Sequence, residues 1–396
     1  MKKFTIILTV LIAMTITTNA QWTQKANFRG SARVLAVGFS IGTKAYILIG
    51  SDSVNKKDLW EYNQSTDIWT QKADFPGGAR SEAVGFSIGT KGYIGTGFDS
   101  VHHNDFWEYN PSTDMWTQKA NFGGGARNKG VGFSIGAKGY IGTGSDQNGV
   151  PRNDFWEYNP STDTWTQKAN SGGGARYKDF GFSIGAKGYI GMGEVDSVTI
   201  KKDFWEYNPT SDSWIQRADF NGGIREGAVG FSIGTLGFIG TGIDTTILKN
   251  DFWEYNPISD TWIQITNFGG TPRLLAVGFS IGTKGYIGTG MDADSLRSDF
   301  WEFNPSAIGI NEVYLGNLIS FYPNPFSSET TLKENSDFKN AILTIYNYSG
   351  QQVKQIKNIF GQTITLHRDN LPIGLYFIRL TQDDKQIEIK KIVISD

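Results

Sequence analysis

At 396 residues, with 39% hydrophobic and 14% aromatic residues, the chain is long enough to bury a large core and to form two domains. Its formal net charge is -2 and it has no long basic run, which argues against a nucleic-acid partner whose phosphates would have to be neutralised. The absence of cysteine excludes disulfides, thiolate metal sites, cysteine nucleophiles and a lipoprotein anchor.

Residues 1–20 have the form of a secretory signal peptide. Two lysines precede an apolar run from Phe4 to Ile16, and Ala20 ends a small-residue cleavage site. The apolar run is shorter than the roughly 20 residues that a membrane-spanning helix needs. The sequence therefore predicts export to the periplasm and a mature chain that begins at Gln21 and has no membrane span.

Between residues 21 and 304 the chain repeats itself. The stretch Asp-Phe-Trp-Glu-Tyr-Asn at 105–110 has six close copies, whose tryptophans are 47 to 49 residues apart. Each copy contains four short apolar stretches separated by turn signals, which predict four strands. A fixed period of this length indicates a repeat architecture, and six four-stranded units predict an all-β, six-bladed β-propeller. The central tryptophans are Trp60, Trp107, Trp156, Trp205, Trp253 and Trp301.

The two ends of the repeat array predict how the ring closes. Residues 21–26 contain a fourth strand without the first three, and the last copy, 278–304, lacks its fourth strand. Together the two pieces make one complete blade. The N-terminal strand is therefore predicted to close the propeller against the C-terminal blade.

The repeats also carry a family pattern. In five copies six residues separate a tyrosine from a tryptophan, as between Tyr109 and Trp116, and a glycine pair ends the second strand, as Gly95 and Gly97. This pattern resembles the kelch repeat over residues 21–304, although the glycines are separated by one residue and Phe303 replaces the sixth tyrosine. Twelve tryptophans make two for each blade, which assigns them to packing.

The copies differ from one another in two places: directly after a repeated arginine, and in the loop between the second and third strands. In a four-stranded blade these connections emerge on the same face, which is the predicted ligand surface. After the arginine, blades two to five carry polar residues, whereas blades one and six carry apolar ones such as Leu35 and Leu275. This predicts a lopsided pocket. The predicted ligand-binding residues are Arg80, Arg127, Arg176, Arg225, Glu82, Lys129, Tyr177, Lys178, Asp179 and Glu226.

The arginines have two interpretations. A ring of guanidinium groups could hold a ligand carboxylate by bidentate pairing. Alternatively each arginine is structural and bonds loop carbonyls or the repeated aspartate of its blade, such as Asp105. His102 and His103 lie in one variable loop without a repeating partner, which is a poor metal site. The sequence therefore predicts neither a metal nor a cofactor.

Three functions fit these observations. The leading interpretation is a binding module for carbohydrate or protein, because the chain shows no distinct catalytic pair. The alternative is a sugar-processing enzyme that resembles the kelch-type N-acetylneuraminate mutarotases; this resemblance implies a site of arginine and acidic residues at the variable face, including Arg127, Arg176, Arg225, Glu82 and Glu226. The third is a structural surface protein.

After the repeats, residues 305–317 are predicted to be a linker, and the pattern changes from residue 318 onward. Pro323 and Pro325 in Tyr-Pro-Asn-Pro, a Gly-x-Tyr ending at Tyr376 and a terminal Lys-Ile-Val resemble the C-terminal sorting domain of type IX secretion in Bacteroidota. The resemblance implies that 318–396 form a small β-sandwich that engages the secretion machinery. The protein would then be released or attached at the outer-membrane surface. An ordinary β-sandwich adhesion module is the alternative.

Overall fold

The computed structural model of the protein describes residues 22–196, 198–305, 320–347, 351–382 and 385–395. The predicted signal peptide and most of the predicted linker lie outside these described residues. The chain divides into two compact units, 1–307 and 308–396. No helix among the described residues is long and apolar enough to cross a bilayer.

The first unit consists of six antiparallel four-stranded sheets, which we number as blades 1 to 6 in chain order. The first strands of neighbouring blades contact one another around the ring and are therefore innermost. They are β2 (Val37–Ile41), β6 (Val84–Ile88), β11 (Val131–Ile135), β16 (Phe180–Ile184), β20 (Val229–Ile233) and β24 (Val277–Ile281). The second strands are β3 (Lys44–Leu48), β7 (Lys91–Gly95), β12 (Lys138–Gly142), β17 (Lys187–Gly191), β21 (Leu236–Gly240) and β25 (Lys284–Gly288).

The repeated hexapeptide forms the third strand of every blade. The third strands are β4 (Leu59–Asn63), β8 (Phe106–Asn110), β14 (Phe155–Asn159), β18 (Phe204–Asn208), β22 (Phe252–Asn256) and β26 (Phe300–Phe303). The outermost, fourth strands are β5 (Ile68–Lys72), β9 (Met115–Lys119), β15 (Thr164–Lys168), β19 (Ser213–Arg217), β23 (Thr261–Ile265) and, for blade 6, β1 (Trp22–Lys25). A short extra ladder joins β10 (Arg127–Asn128) to β13 (Ser145–Asp146). The predicted six-bladed propeller is confirmed.

Neighbouring blades pack closely at the axis because each inner strand has a glycine at its second position. A Cβ atom on Gly85 would lie 2.2 Å from Cγ1 of Val37 in the preceding blade. A Cβ atom on Gly92 would likewise lie 2.5 Å from Cε2 of Phe39 in the preceding blade. The repeated glycines are therefore required by the approach of one blade to the next.

The tyrosine and tryptophan of the kelch pattern tie each blade to its predecessor. In blade 2 the Tyr109 hydroxyl donates to Asp114 Oδ1 (2.7 Å), and the same oxygen accepts the Ala73 N–H (3.0 Å) of blade 1. The Trp116 indole N–H donates to the Ala73 carbonyl, also over 3.0 Å. The same contacts recur in blades 1, 3, 4 and 5. The turn aspartate and both aromatic residues thus form one inter-blade tie.

The predicted closure of the ring is confirmed. β1 pairs with β26 in antiparallel register, with Trp22 opposite Phe303. The Trp22 side chain is buried and packs edge-on against Phe252 and Phe268, at centroid distances of 5.0 Å. Its indole N–H donates to the carbonyl of Thr266 in blade 5 (3.4 Å). The N-terminal strand therefore joins blade 6 to blade 5.

Removal of β1 should open the propeller. A chain that begins at Gly30 loses the buried Trp22 and the fourth strand of blade 6, and burial of one such ring contributes about 3–5 kcal/mol. Differential scanning calorimetry should show a melting temperature at least about 10 °C below that of the chain from Gln21. Trp22→Phe, which keeps an aromatic ring at the site, is the matched control and should lower the melting temperature by less. Equal melting temperatures for the truncated and full chains would contradict this closure.

Blade 5 lacks a hydrogen bond that the other five blades share. In the other blades a second-strand tyrosine donates to the glutamate of the third strand, as Tyr286 does to Glu302 (2.6 Å) and Tyr189 to Glu206 (2.9 Å). Blade 5 has Phe238 at the tyrosine position, and none of the described side chains donates a hydrogen bond to its half-buried Glu254. Burial raises the pKa of Glu254 above its ordinary value.

Restoring the hydroxyl in blade 5 should stabilise the propeller. Phe238→Tyr supplies the missing donor, and a hydrogen bond to a charged group contributes about 1.5–3 kcal/mol. Because the folded-state pKa of Glu254 is raised, its stability contribution is full at low pH and is lost as pH rises through that pKa. The increase in the free energy of unfolding caused by Phe238→Tyr, measured in urea, should therefore be larger at pH 8 than at pH 4. In a Glu254→Gln background, a gain that still changed with pH would contradict this explanation.

The second unit is an antiparallel β domain with its own core. Its strands are β27 (Ser320–Tyr322), β28 (Glu329–Asn347), β29 (Gln352–His367), β30 (Gly374–Gln382) and β31 (Lys385–Ile394). The sheet order is β27-β28-β30-β31, and β29 pairs with β28. Register shifts along β28 bend it, so residues from both of its ends, including Leu332 and Ile345, enter one core cluster with Leu380 and Ile392.

Candidate functional site

The two variable segments of each blade meet on one face, as predicted. The residue after each repeated arginine forms an antiparallel bridge with the third residue after the second strand. In blade 4 this bridge joins Tyr177 to Glu194. The bridged pairs in the remaining blades are Val34 with Ser51, Ser81 with Phe98, Asn128 with Ser145, Glu226 with Ile243 and Leu274 with Met291.

The repeated arginines are buried in ion pairs below this face. Arg127 makes two parallel hydrogen bonds to the carboxylate of Asp154, both 2.8 Å, and a third to the carbonyl of Thr143 (2.8 Å). Asp154 Oδ2 also accepts the indole N–H of Trp156 (2.7 Å). All six arginine side chains are at most 1% exposed. The pairs are Arg33–Asp58, Arg80–Asp105, Arg127–Asp154, Arg176–Asp203, Arg225–Asp251 and Arg273–Asp299.

These contacts correspond to the structural interpretation of the arginines. A ligand carboxylate would have to displace an aspartate from Arg80, Arg127, Arg176 or Arg225 to bind there. The buried pair leaves no exposed N–H face for such a ligand. The other six predicted residues, in contrast, gather around the propeller axis.

A ring of backbone hydrogen bonds holds the axial residues in place. The second residue after each arginine has a φ of 54° to 60°, and its N–H donates to the carbonyl of the equivalent residue in the preceding blade. The six N···O distances are 2.9–3.2 Å, and the last bond, from Leu35 to Leu275, closes the circle. We call this ring the axial collar. Its members are Leu35, Glu82, Lys129, Lys178, Gly227 and Leu275.

The axial collar surrounds a small pocket of about 160 Å³. Glu82, Lys129 and Lys178 line one side of the ring, and Leu35 and Leu275 line the other. The pocket therefore has a charged half and an apolar half, which agrees with the predicted asymmetry.

The charged half is a network centred on Lys178. Its ammonium group lies 2.8 Å from Glu194 Oε2 and 2.9 Å from Glu226 Oε2. It also lies 5.7 Å from the ring centroid of Tyr177, as does the ammonium of Lys129. One tyrosine ring thus contacts two cations, and two carboxylates hold one of them.

The two carboxylates have different proton affinities. Burial and a hydrogen bond with Glu194 raise the pKa of Glu226. Burial opposes ionisation of Glu194 as well, but hydrogen bonds with Glu226 and Lys178 hold its pKa below the ordinary value. Burial and the hydrogen bond to Glu194 raise the pKa of Tyr177 to about 12. Glu226 is therefore the group of the pair that retains a proton to higher pH.

Glu194 and Asn128 were missed by the sequence-based prediction. Glu194 reaches the site through its bridge to Tyr177, at a loop position where the other blades carry Ser, Phe, Ile or Met. The Asn128 amide donates to Glu82 Oε2 (2.5 Å), and Lys129 lies 3.7 Å from the other oxygen of Glu82. A charged residue at an otherwise uncharged repeat position is the signal that would have identified Glu194.

Asp179 lies directly below the collar and occupies a position that is alanine or glycine in the other five blades. The Thr143 hydroxyl donates to Oδ1 of Asp179 (3.1 Å), whereas Oδ2 is buried and has no hydrogen-bond partner in the described part of the chain. Burial raises its pKa to about 7, although the nearby Arg176 opposes the shift. The site therefore contains one carboxyl group that titrates near neutral pH.

Asp179→Ala should stabilise the protein at alkaline pH. A folded-state pKa of about 7 means that the stability contribution of Asp179 is full below its unfolded value of 3.8 and is lost as pH rises through about 7. Urea unfolding should show a gain of about 1–3 kcal/mol for the alanine variant at pH 8 and a smaller one at pH 4. Asp179→Asn cannot titrate either, so its difference from wild type in the free energy of unfolding should depend on pH in the same way. A difference independent of pH would contradict the buried titration.

No group of three or more His, Asp or Glu in the described part of the chain could hold a metal ion. His103 instead lies 3.0 Å from Asp99 in its own loop.

Comparisons with known proteins agree with both units. The family model described as "Secretion system C-terminal sorting domain" matches residues 320–395. A solved structure, "Structure of YjhT", matches with a TM-score of 0.62 at 17% identity and covers 70% of this chain and 95% of that one. No curated protein matches the sequence. The chain thus forms a six-bladed β-propeller, and its residues 320–395 match a sorting domain of a secretion system.

Proposed function

We propose that the propeller is a binding module that takes a polar carbohydrate or protein ligand at the axial pocket. This proposal rests on the contrast between the repeated structural residues of the blades and the residues of the axial collar. Six copies share their arginines, aspartates and tryptophans, yet at the collar they diverge into Leu, Glu, Lys, Lys, Gly and Leu. Selection for stability alone does not require charged residues on one half of an axial ring.

The chemistry of the pocket suits hydroxyl and amine groups. At the pocket lining Glu82 offers an acceptor, and Lys129 and Lys178 offer donors. Lys178 connects the pocket to the carboxylates of Glu194 and Glu226. The apolar half can cover a hydrocarbon face of the same ligand. A sugar ring has both kinds of surface, and so does a polar side chain on a partner protein.

The size of the pocket supports binding more than enclosed catalysis. Sites that enclose a drug-sized ligand usually measure roughly 300–1,000 Å³. A pocket of about 160 Å³ accepts one sugar unit or one side chain, and the rest of the ligand remains outside it. This geometry is typical of a module that recognises one terminal group of a larger molecule.

A sugar-processing enzyme is the second candidate, and one observation favours it. Glu194 and Glu226 share Lys178, and their pKa values move in opposite directions. Such a pair can supply one general acid and one general base. Turnover of a bound sugar, followed by proton NMR, separates this candidate from the binding module.

Substitution at the pocket should weaken ligand binding without loss of stability. A glycan array identifies the bound sugar, and calorimetry then compares wild type with Tyr177→Phe and Glu226→Gln. Loss of a central polar contact should reduce affinity by about 10-fold or more. Lys202→Ala is the control, because Lys202 forms an exposed pair with Asp219 at 3.5 Å. A bound glycan whose affinity is unchanged in both pocket variants would contradict the axial site.

A further inference from the structure

The fourth strand of every blade carries an exposed glutamine. The residue before it is threonine in four blades but isoleucine in blades 4 and 5, as Ile215 and Ile263, so the exposed surface of this strand is free to vary. An exposed side chain is not needed for the core, and its repetition requires another explanation. The six residues are Gln24, Gln71, Gln118, Gln167, Gln216 and Gln264.

Each glutamine lies beside the tryptophan of the third strand. In blade 3, Gln167 is the cross-strand partner of Trp156. Its amide donates to Asn170 Oδ1 (3.5 Å), and in blade 6 Gln24 donates to Asn27 in the same way (3.3 Å). The glutamine carbonyl and the asparagine amide N–H groups keep their hydrogen-bonding capacity. Each such pair therefore presents an acceptor and donors next to an aromatic ring.

These side chains line an open groove, which we call the blade groove. In blade 3 the groove measures about 740 Å³ and contains Trp156, Gln167, Asn170 and Asn153. The equivalent groove of blade 6 measures about 540 Å³. Both volumes lie within the roughly 300–1,000 Å³ of small-ligand sites. The residues that correspond in blade 6 are Trp301, Gln24, Asn27 and Ser298.

Glycines of the preceding loop keep the groove open above the tryptophan. A Cβ on Gly123 would lie 2.7 Å from Cζ3 of Trp156, and one on Gly269 would lie 2.9 Å from Cε3 of Trp301. A larger residue would collide with the ring or fill the groove. The indole N–H is bonded to an aspartate, so the ring offers only its apolar surface to a ligand.

The charged groups of the groove are already paired. In blade 3, Arg152 is bonded to Asp146 and Asp154 to Arg127. In blade 6 the corresponding pairs are Arg297–Asp292 and Arg273–Asp299. An ionic ligand would find no unpaired charge there. The surface that remains consists of amides, glycine backbone and a tryptophan ring.

From these contacts we propose that the grooves of blades 3 and 6 bind a neutral polysaccharide, one segment of its chain in each groove. Amides hydrogen-bond to sugar hydroxyls, and the tryptophan contacts the apolar face of the sugar ring. The two grooves match a ligand with a repeating structure, because the second groove acts intramolecularly once the first is occupied. This site is separate from the axial pocket and does not depend on the function proposed for it.

Retention of the whole secreted protein on polysaccharides tests the proposal. The probes are insoluble cellulose, curdlan, mannan and chitin, with alginate as the charged comparison. Alanine at all six glutamines should reduce retention of the best neutral probe by roughly 100-fold or more, because multivalent binding amplifies each weakened site. Gln167→Ala alone, which leaves the groove of blade 6 intact, should reduce retention less than the variant with all six substitutions.

The matched control replaces the six preceding exposed residues with alanine: Thr23, Thr70, Thr117, Thr166, Ile215 and Ile263. It should keep the retention and the melting temperature of wild type. The proposal is overturned if no neutral probe is retained, if alginate alone is retained, or if the glutamine variant is retained like wild type. Equal loss in both sets of variants also overturns it, because the glutamines would then have no specific role.

Discussion

The buried arginine–aspartate pair is the interaction on which the rest of the propeller depends. A charge buried without its partner costs about 3–5 kcal/mol, so neither side chain can be removed from the pair cheaply. Arg127 belongs to the loop that enters blade 3, and Asp154 to the start of its third strand. The pair therefore fixes one connecting loop against another at the same face. The same pair recurs in all six blades and fixes each entering loop to its own third strand.

The repeated arginine–aspartate pairs explain how blades of nearly identical sequence can carry different residues at the axial collar. Two residues after the arginine, the chain turns through a left-handed conformation and joins the axial collar by backbone hydrogen bonds. Backbone contacts place no demand on side-chain identity beyond the cost of a positive φ. Leucine, glutamate, lysine and glycine can all occupy the collar. The charged network around Lys178 is thus carried by a ring whose geometry does not depend on it.

The fold could be predicted from the sequence because its signals are local and repeated. The repeat period, the turn residues and the tyrosine–tryptophan spacing predicted the blades. The unmatched strand around Trp22 predicted how the ring closes. The site was predictable only in part. A repeated arginine suits a ligand carboxylate or a buried aspartate equally well, and only its burial separates the two. Glu194 lies at the same repeat position as the bridged residue of every other blade, but no other copy has a charged residue there to mark the position as part of a site.

The two candidate surfaces differ in the way that their ligands would gain affinity. The axial pocket occurs once, so its affinity must come from a single set of strong contacts, and charged groups in a partly buried network provide these. The blade groove occurs in blades 3 and 6, and weak neutral contacts are sufficient where both grooves act on one chain. Unpaired charges in every groove would add repulsion between equivalent sites and would select for ionic polymers. Paired charges at Arg152 and Arg297 avoid both effects, which is why the grooves favour a neutral polymer and the axis favours one distinct polar group.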